Sequence, residues 1–252
     1  MFIKQICSLL MLLPLLFLTT CASGGSKSSA DTGAGQVIVN GFTIDSNERG
    51  SEDGYDYEFW KNNTASGKMT IGDEGTFSCE WHSNSGSSNI LFRNGKRFGN
   101  SRTHKQVGNI TITYAAKYNP YGLSYLSVYG WTQNPLVEYY IVDNYHGDYH
   151  PGRSGTKKGT FTIEGEGTYD VYTRPMYSQP AIAGPGRYDF TQYISVRTEK
   201  RTSGTISVTK HFEEWQKLGM DMSGTLYEAM MKVEGYGSSG KAVITENKLI
   251  IN

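Results

Sequence analysis

Two glutamates in this 252-residue sequence sit in surroundings where carboxylates are uncommon. Glu138 is the only carboxylate in the run Pro135-Leu136-Val137-Glu138-Tyr139-Tyr140-Ile141-Val142, and Glu234 lies within Met230-Met231-Lys232-Val233-Glu234-Gly235-Tyr236. Each could simply point to solvent from a one-sided strand, since polar outward residues are the rule in antiparallel sheets. The alternative is a facing pair. Two carboxyl groups about 5 Å apart, one ionised and one protonated, are what retaining hydrolysis of a glycosidic bond requires. The sequence holds 18 Tyr and 4 Trp, flat apolar rings with a hydroxyl or indole donor that suit sugar rings.

Other constellations carry less chemistry. Gly235-Tyr236-Gly237-Ser238-Ser239-Gly240-Lys241 matches a phosphate-cradling pattern, but that pattern needs a strand before it and a helix after it. Ala242–Ile251 reads as a strand instead, and Ala242 stands where a magnesium-binding hydroxyl is required. His146-Gly147-Asp148-Tyr149-His150 offers two imidazoles and a carboxylate, in a Gly- and Pro-bearing stretch with no helix to align them. It reads as a solvated loop, so no metal is expected. No G-x-S-x-G elbow occurs. Cys7 and Cys21 fall in the N-terminal leader and leave Cys79 alone in the body, so neither a disulfide framework nor a cysteine metal site is available.

The elements that must position these residues are strands. From about Val37 onward, apolar and polar residues alternate with period 2 between Gly, Asn and Asp turns, as in Asn109–Tyr114. Tyr125, Ser127, Tyr129 and Trp131 share one face of a strand, and Leu126 and Val128 the other. Further strands are expected at 67–71, 76–81, 136–143, 159–163, 167–173, 188–197, 204–209, 227–236 and 242–251. Short strands at this spacing predict an all-β sandwich or jelly roll. One helix interrupts them over Lys210–Gly219, where Phe212, Trp215 and Leu218 recur on one side and Gly219 supplies the stop.

Charge and termini narrow the class. The 24 basic and 24 acidic side chains cancel, which argues against a phosphate-neutralising nucleic-acid binder. Lys4 followed by the apolar run Ile6–Leu18 reads as a secretory signal, too short to span a bilayer as a helix. Leu18-Thr19-Thr20-Cys21-Ala22 resembles the cleavage site of a bacterial lipoprotein, with Cys21 as the lipidated residue. The expected organisation is a signal over 1–21, a Ser/Gly-rich spacer over 22–36 and one folded unit over 37–252. The protein is expected to be secreted or held at the cell surface, touching a membrane only through a lipid on Cys21.

The two glutamate strings resemble the paired signatures of the glycoside hydrolase family 11 endo-1,4-β-xylanases. Pro135–Tyr145 resembles the nucleophile signature, and Val233-Glu234-Gly235-Tyr236 with Ser238-Ser239-Gly240 resembles the acid/base signature. The likeness runs from about Asp53 to the C-terminus. Tyr55–Trp60, Tyr125–Trp131, Gln179–Gly184 and Phe190–Arg197 resemble, in order, the start of the cleft, a cleft-lining strand, the thumb hairpin and the strand bearing a substrate-binding glutamine.

The resemblance implies a β-jelly roll of two curved antiparallel sheets with one short helix. It implies Glu138 as nucleophile and Glu234 as acid/base. Trp60, Tyr125, Tyr129, Trp131, Tyr140, Pro180 and Gln192 are the implied sugar-binding residues, and Asn89 the neighbour that tunes the acid/base. The substrate implied is xylan, attacked by a monomer without cofactor. Four positions depart from the family pattern: Gly237 replaces Gln, Met176 an Arg, Ala181 a Ser and Ile194 a Trp. A non-catalytic xylan-binding jelly roll and a retaining endo-β-1,4-glucanase are the rival readings.

Overall fold

A computed structural model describes residues 39–252 apart from Asn84. The expected signal, spacer and Cys21 lie outside the described residues. Val37–Asn252 form one compact unit.

The chain runs through β1 (Gly41–Ile44), β2 (Glu48–Glu52), β3 (Tyr55–Lys61), β4 (Ala65–Gly72), β5 (Phe77–Ser83) and β6 (Asn89–Arg97) to a one-turn helix, α1 (His104–Val107). There follow β7 (Ile110–Tyr121), β8 (Ser124–Gln133), β9 (Val137–Tyr145), β10 (Thr156–Ile163), β11 (Gly167–Ala181), β12 (Gly184–Arg197) and β13 (Ser203–Ser207). Helix α2 (Val208–Lys217) precedes β14 (Thr225–Leu226), β15 (Glu228–Tyr236) and β16 (Ser239–Ile251). Six strands form one sheet in the order β1-β4-β5-β16-β7-β13. The other sheet runs β10-β11-β12-β9-β8-β15-β6-β3-β2, with β14 paired to β8. The all-β class expected from the alternation is therefore present, in the two-sheet jelly roll that the resemblance implies.

Pleating assigns each strand residue to one of two environments. On β8, Leu126 and Val128 join the core between the sheets, with Phe59, Phe92, Trp81, Tyr139, Met231 and Val233. Tyr125, Tyr129 and Trp131 instead join Tyr140, Val142, Phe190, Ile194 and Val196 on the opposite face of the larger sheet. That second face carries the site. Within the larger sheet the pairs are antiparallel except one: β9 and β12 run parallel, setting Gln192 beside Glu138.

Helix α2 covers one end of the core. Phe212, Trp215 and His211 are fully buried, and the Trp215 indole donates to Ser195 Oγ at 2.9 Å. Gly219 takes φ +76°, while its N–H bonds the Gln216 carbonyl and the Met220 N–H bonds that of Trp215. This pair of bonds is the Schellman stop that glycine permits.

The helix begins two residues earlier than the sequence suggests and ends at Lys217 rather than Gly219. Val208 and Thr209 are β-branched and read as the tail of a strand. They are helical because the Thr209 hydroxyl accepts the Ile110 N–H at 2.9 Å and donates to the Gly108 carbonyl at 3.2 Å. Truncating the buried ring, Trp215→Ala, is expected to destabilise the protein by roughly 3–5 kcal/mol. Urea unfolding checks this, and a loss under 1 kcal/mol would contradict the packing described.

Candidate active site

The larger sheet curves around a cleft of about 850 Å³ whose lining includes Glu138, Glu234, Trp60, Tyr129, Trp131, Tyr140 and Gln192. Pleating explains the set. Glu138 and Tyr140 alternate on β9 with the core residues Val137, Tyr139 and Ile141, and Glu234 alternates on β15 with Met231 and Val233. Both carboxylates are buried, Glu138 at 8% and Glu234 at 3% exposure. They therefore do not point to open solvent, as a one-sided strand would have them do.

Glu138 is held by three donors. Tyr129 donates to its Oε1 at 2.7 Å and Tyr140 to the same oxygen at 3.0 Å. Gln192 Nε2 donates to Oε2 at 2.6 Å. Each donor is itself anchored or enclosed. The Trp131 indole donates to the Tyr129 hydroxyl at 2.6 Å, and Arg174 Nε fixes the Gln192 carbonyl at 2.6 Å. Burial, reinforced by the charge on Glu138, lifts the Tyr129 and Tyr140 hydroxyls well above the ordinary phenol range. They remain protonated donors at neutral pH.

Glu234 has different company. Asn89 Nδ2 donates to its Oε1 at 3.1 Å. The second oxygen touches the Lys232 ammonium. Lys232 is fully buried, with its nitrogen 3.6 Å from the Tyr129 ring centroid and 4.1 Å from that of Tyr140. The same two tyrosines bind Glu138, so the carboxylates share a single cage.

The remaining expected sugar-binding residues fall around this centre. Trp60 on β3 is half-buried in the wall. Tyr125 packs 5.8 Å from the Tyr236 ring, and burial together with Glu234 pushes its hydroxyl up to about 12. Pro180 lies near the tip of the β11–β12 hairpin. Because β12 pairs with β9 only from Thr191 to Val196, the outer half of the hairpin overhangs the cleft, bringing Gln179, Pro180, Ala181 and Ile182 to its rim.

The four departures have separate consequences. Met176 lines the cleft, while Arg174 is committed to Gln192. Ile194 packs with Val142 and Val196 as an apolar wall residue. Ala181 pairs with Gly184 at the hairpin end. Gly237 has φ +53°, and a Cβ there would meet the Gly86 backbone at 3.0 Å. A side chain at 237 would be strained by its backbone and crowded by Gly86.

Of the alternative constellations, Gly235–Lys241 turns from β15 into β16 with no following helix. His150 Nδ1 accepts the Gly152 N–H at 3.0 Å, and His146 stacks on Tyr149. Cys79 is buried, which raises its thiol above the ordinary range.

The sequence reading missed a charged cluster that reaches the cleft wall through Glu58 and Arg93. Arg93 contacts Glu228 and bonds Glu58 at 2.7 Å, and Arg97 bonds Glu58 at 2.9 Å and lies 3.7 Å from Glu228. Burial would raise the Glu58 carboxyl, but Arg93 and then Arg97 outweigh it and hold it below the ordinary range. Lys232 was missed as well. Its signal was available: two residues before Glu234 on a strand, it must share that residue's face.

A family model decides what this arrangement belongs to. That of the Glycosyl hydrolases family 11 matches residues 52–245. The chain belongs to this family. A Bacillus pumilus protein named endo-1,4-beta-xylanase A is 53% identical over 217 residues, covering 85% of this chain and 90% of that one. A namesake from Thermoclostridium stercorarium is 50% identical over 216 residues, and there the chain spans only 31% of the relative's length. The solved family 11 xylanase of Neocallimastix patriciarum superposes with a TM-score of 0.76 at 37% identity, covering 84% of this chain and all of that one. The two-sheet architecture and the overhanging hairpin thus belong to a glycoside hydrolase fold.

Proposed function

We propose that this family 11 glycoside hydrolase is an endo-1,4-β-xylanase acting by a retaining double displacement. One observation carries the reading: two buried carboxylates with different hydrogen-bond environments share one aromatic-walled cleft. Glu138, fixed by Tyr129, Tyr140 and Gln192, accepts only hydrogen bonds and so suits the ionised nucleophile. Glu234, held at one oxygen by the Asn89 amide and at the other by the Lys232 ammonium, takes the part of proton carrier that its place in the acid/base signature implies.

Glu138 attacks the anomeric carbon as the glycosidic C–O bond breaks, and Glu234 gives its proton to the departing oxygen. The glycosyl ester on Glu138 is then cleaved by water, whose proton passes to Glu234 and whose oxygen bonds the anomeric carbon. Both residues return to their starting states. Trp60, Tyr125, Tyr129, Trp131, Tyr140, Pro180 and Gln192 bind the chain. Xylose lacks the exocyclic hydroxymethyl of glucose, and a cleft walled this closely discriminates by that bulk.

The test is reducing-sugar release from xylan and from carboxymethylcellulose. Release from xylan alone is expected. Release from cellulose would make the protein a glucanase, and release from neither, with xylan binding retained, would make it a binding module.

The environment of the acid/base yields a pH prediction. Asn89 donates to Glu234 through an amide that needs no proton from solution. An aspartate there donates only when protonated, so the same hydrogen-bonded form exists only at lower pH. Asn89→Asp is expected to move the activity optimum to lower pH, read from initial rates on soluble xylan. An unmoved profile would remove Asn89 from the mechanism.

A further inference from the structure

Lys232 has no assigned role, yet its ammonium contacts Glu234 and interacts with the charge of Glu138 as well. It lies beneath the cleft surface, fully buried, and so cannot touch a polysaccharide. The groups around it come from four strands: Glu234 and, further off, Glu228 on its own β15, Ser127 and Tyr129 on β8, Glu138 and Tyr140 on β9, and Arg93 on β6. Its nitrogen contacts Glu234 Oε2 and lies against the faces of the Tyr129 and Tyr140 rings. Two π faces and a carboxylate oxygen all present negative potential, which attracts an ammonium and repels the lone pair of a neutral amine.

Charge counting gives the nitrogen a function. Arg93 and Arg97 are matched by Glu58 and Glu228 in a balanced set of two cations and two carboxylates. That leaves Lys232 with Glu138 and Glu234. With Glu138 ionised and Glu234 protonated, this buried trio is neutral. Once Glu138 is esterified by the sugar and Glu234 has given up its proton, the trio is neutral again.

We propose that Lys232 is the shared counter-ion of the two carboxylates, balancing Glu138 in the free enzyme and Glu234 in the glycosyl-enzyme. It keeps its own protons throughout and moves no atom of the substrate, so it is a positioning residue. The proposal rests on the retaining mechanism above. Burial pushes the Lys232 amine below the ordinary lysine range, against the pull of Glu234 and then Glu138. The two carboxylates and the two rings are what keep it charged.

The test replaces the charge and keeps the shape. In Lys232→Met Glu234 loses the cation in contact with it and Glu138 loses the positive charge it interacts with. Each then holds its proton to higher pH, and both limbs of the kcat/KM profile on xylo-oligosaccharides are expected to rise by roughly one to three pH units. A purely structural role would lower the rate without moving either limb, and unmoved limbs would overturn the proposal. Should the variant fail to fold, the wild-type protein decides. Nitrogen-15 NMR of the lysine Nζ is expected to show Lys232 as an ammonium through the pH range of activity, and a neutral amine there would overturn the proposal. This measurement uses no substrate. A wild-type protein inactive on xylan would therefore refute the proposed function while leaving the charge of Lys232 to be read separately.

Discussion

Glu138→Gln is expected to lower xylan turnover by roughly 10⁴-fold or more, the scale on which enzymes lose rate when an activated nucleophile is removed. The amide cannot form the glycosyl ester, and every later step depends on that ester. The variant should still fold. Tyr129 and Tyr140 can donate to the amide oxygen, but the new NH₂ group then faces Gln192 Nε2, itself a donor. Gln192 cannot turn over without releasing its carbonyl from Arg174. One hydrogen bond is lost in a buried site, a cost of about 1–3 kcal/mol. Cooperative thermal unfolding together with abolished turnover is the expected pair of results. Activity near wild type would remove Glu138 from the chemistry.

The second large effect has a different signature. Glu234→Gln removes the proton donor of the first step and the base of the second, each step losing roughly 10²–10⁴-fold. On xylan, with its poor leaving group, both losses count. On an aryl xylobioside with a nitrophenyl leaving group the first step needs no proton, so the glycosyl-enzyme forms and then waits for a base. Azide, a nucleophile that needs no deprotonation, is expected to restore turnover and to yield a β-configured glycosyl azide. Azide without effect, or an α-configured product, would mean that Glu234 is not the acid/base of a retaining enzyme.

Both predictions depend on long-range pairing, which limited what the sequence could reveal. Period-2 alternation in residues 109–114 and 125–131 is a local property, and it placed Tyr125, Tyr129 and Trp131 on one face correctly. The three-residue spacing of Phe212, Trp215 and Leu218 announced α2 to within two residues of each end. Strands β1 and β2 escaped notice because Gly41–Ile44 and Glu48–Glu52 are short and mostly exposed, with no apolar face to alternate. β6 was not among the expected strands, since Asn94, Gly95, Lys96 and Arg97 break the apolar pattern at its far end.

The meeting of Glu138 and Glu234 was not legible at all. The two residues lie on β9 and β15, which both flank β8, and no local signal sets that order. Resemblance to the paired signatures supplied their roles, and the three-dimensional pairing supplied their shared cage. The face of Lys232 was legible from its spacing to Glu234, but its burial was not: a lone lysine in a strand normally reaches water, and only the packing of Tyr129 and Tyr140 over its ammonium encloses it. The overhang of the thumb hairpin likewise follows from where β9 stops pairing with β12, a fact about two strands roughly 50 residues apart in sequence.

The most direct test of the central claim, that Glu138 becomes covalently glycosylated, is mass spectrometry of the protein treated with a 2-deoxy-2-fluoro-xylobioside bearing a good leaving group. Fluorine slows both steps by destabilising the oxocarbenium-like transition state, and the reactive leaving group restores only the first, so an ester intermediate accumulates. One fluoro-xylobiosyl unit per chain is expected, on the peptide containing Glu138 and absent in Glu138→Gln. An adduct on another residue, or no adduct together with product of inverted configuration, would contradict the account.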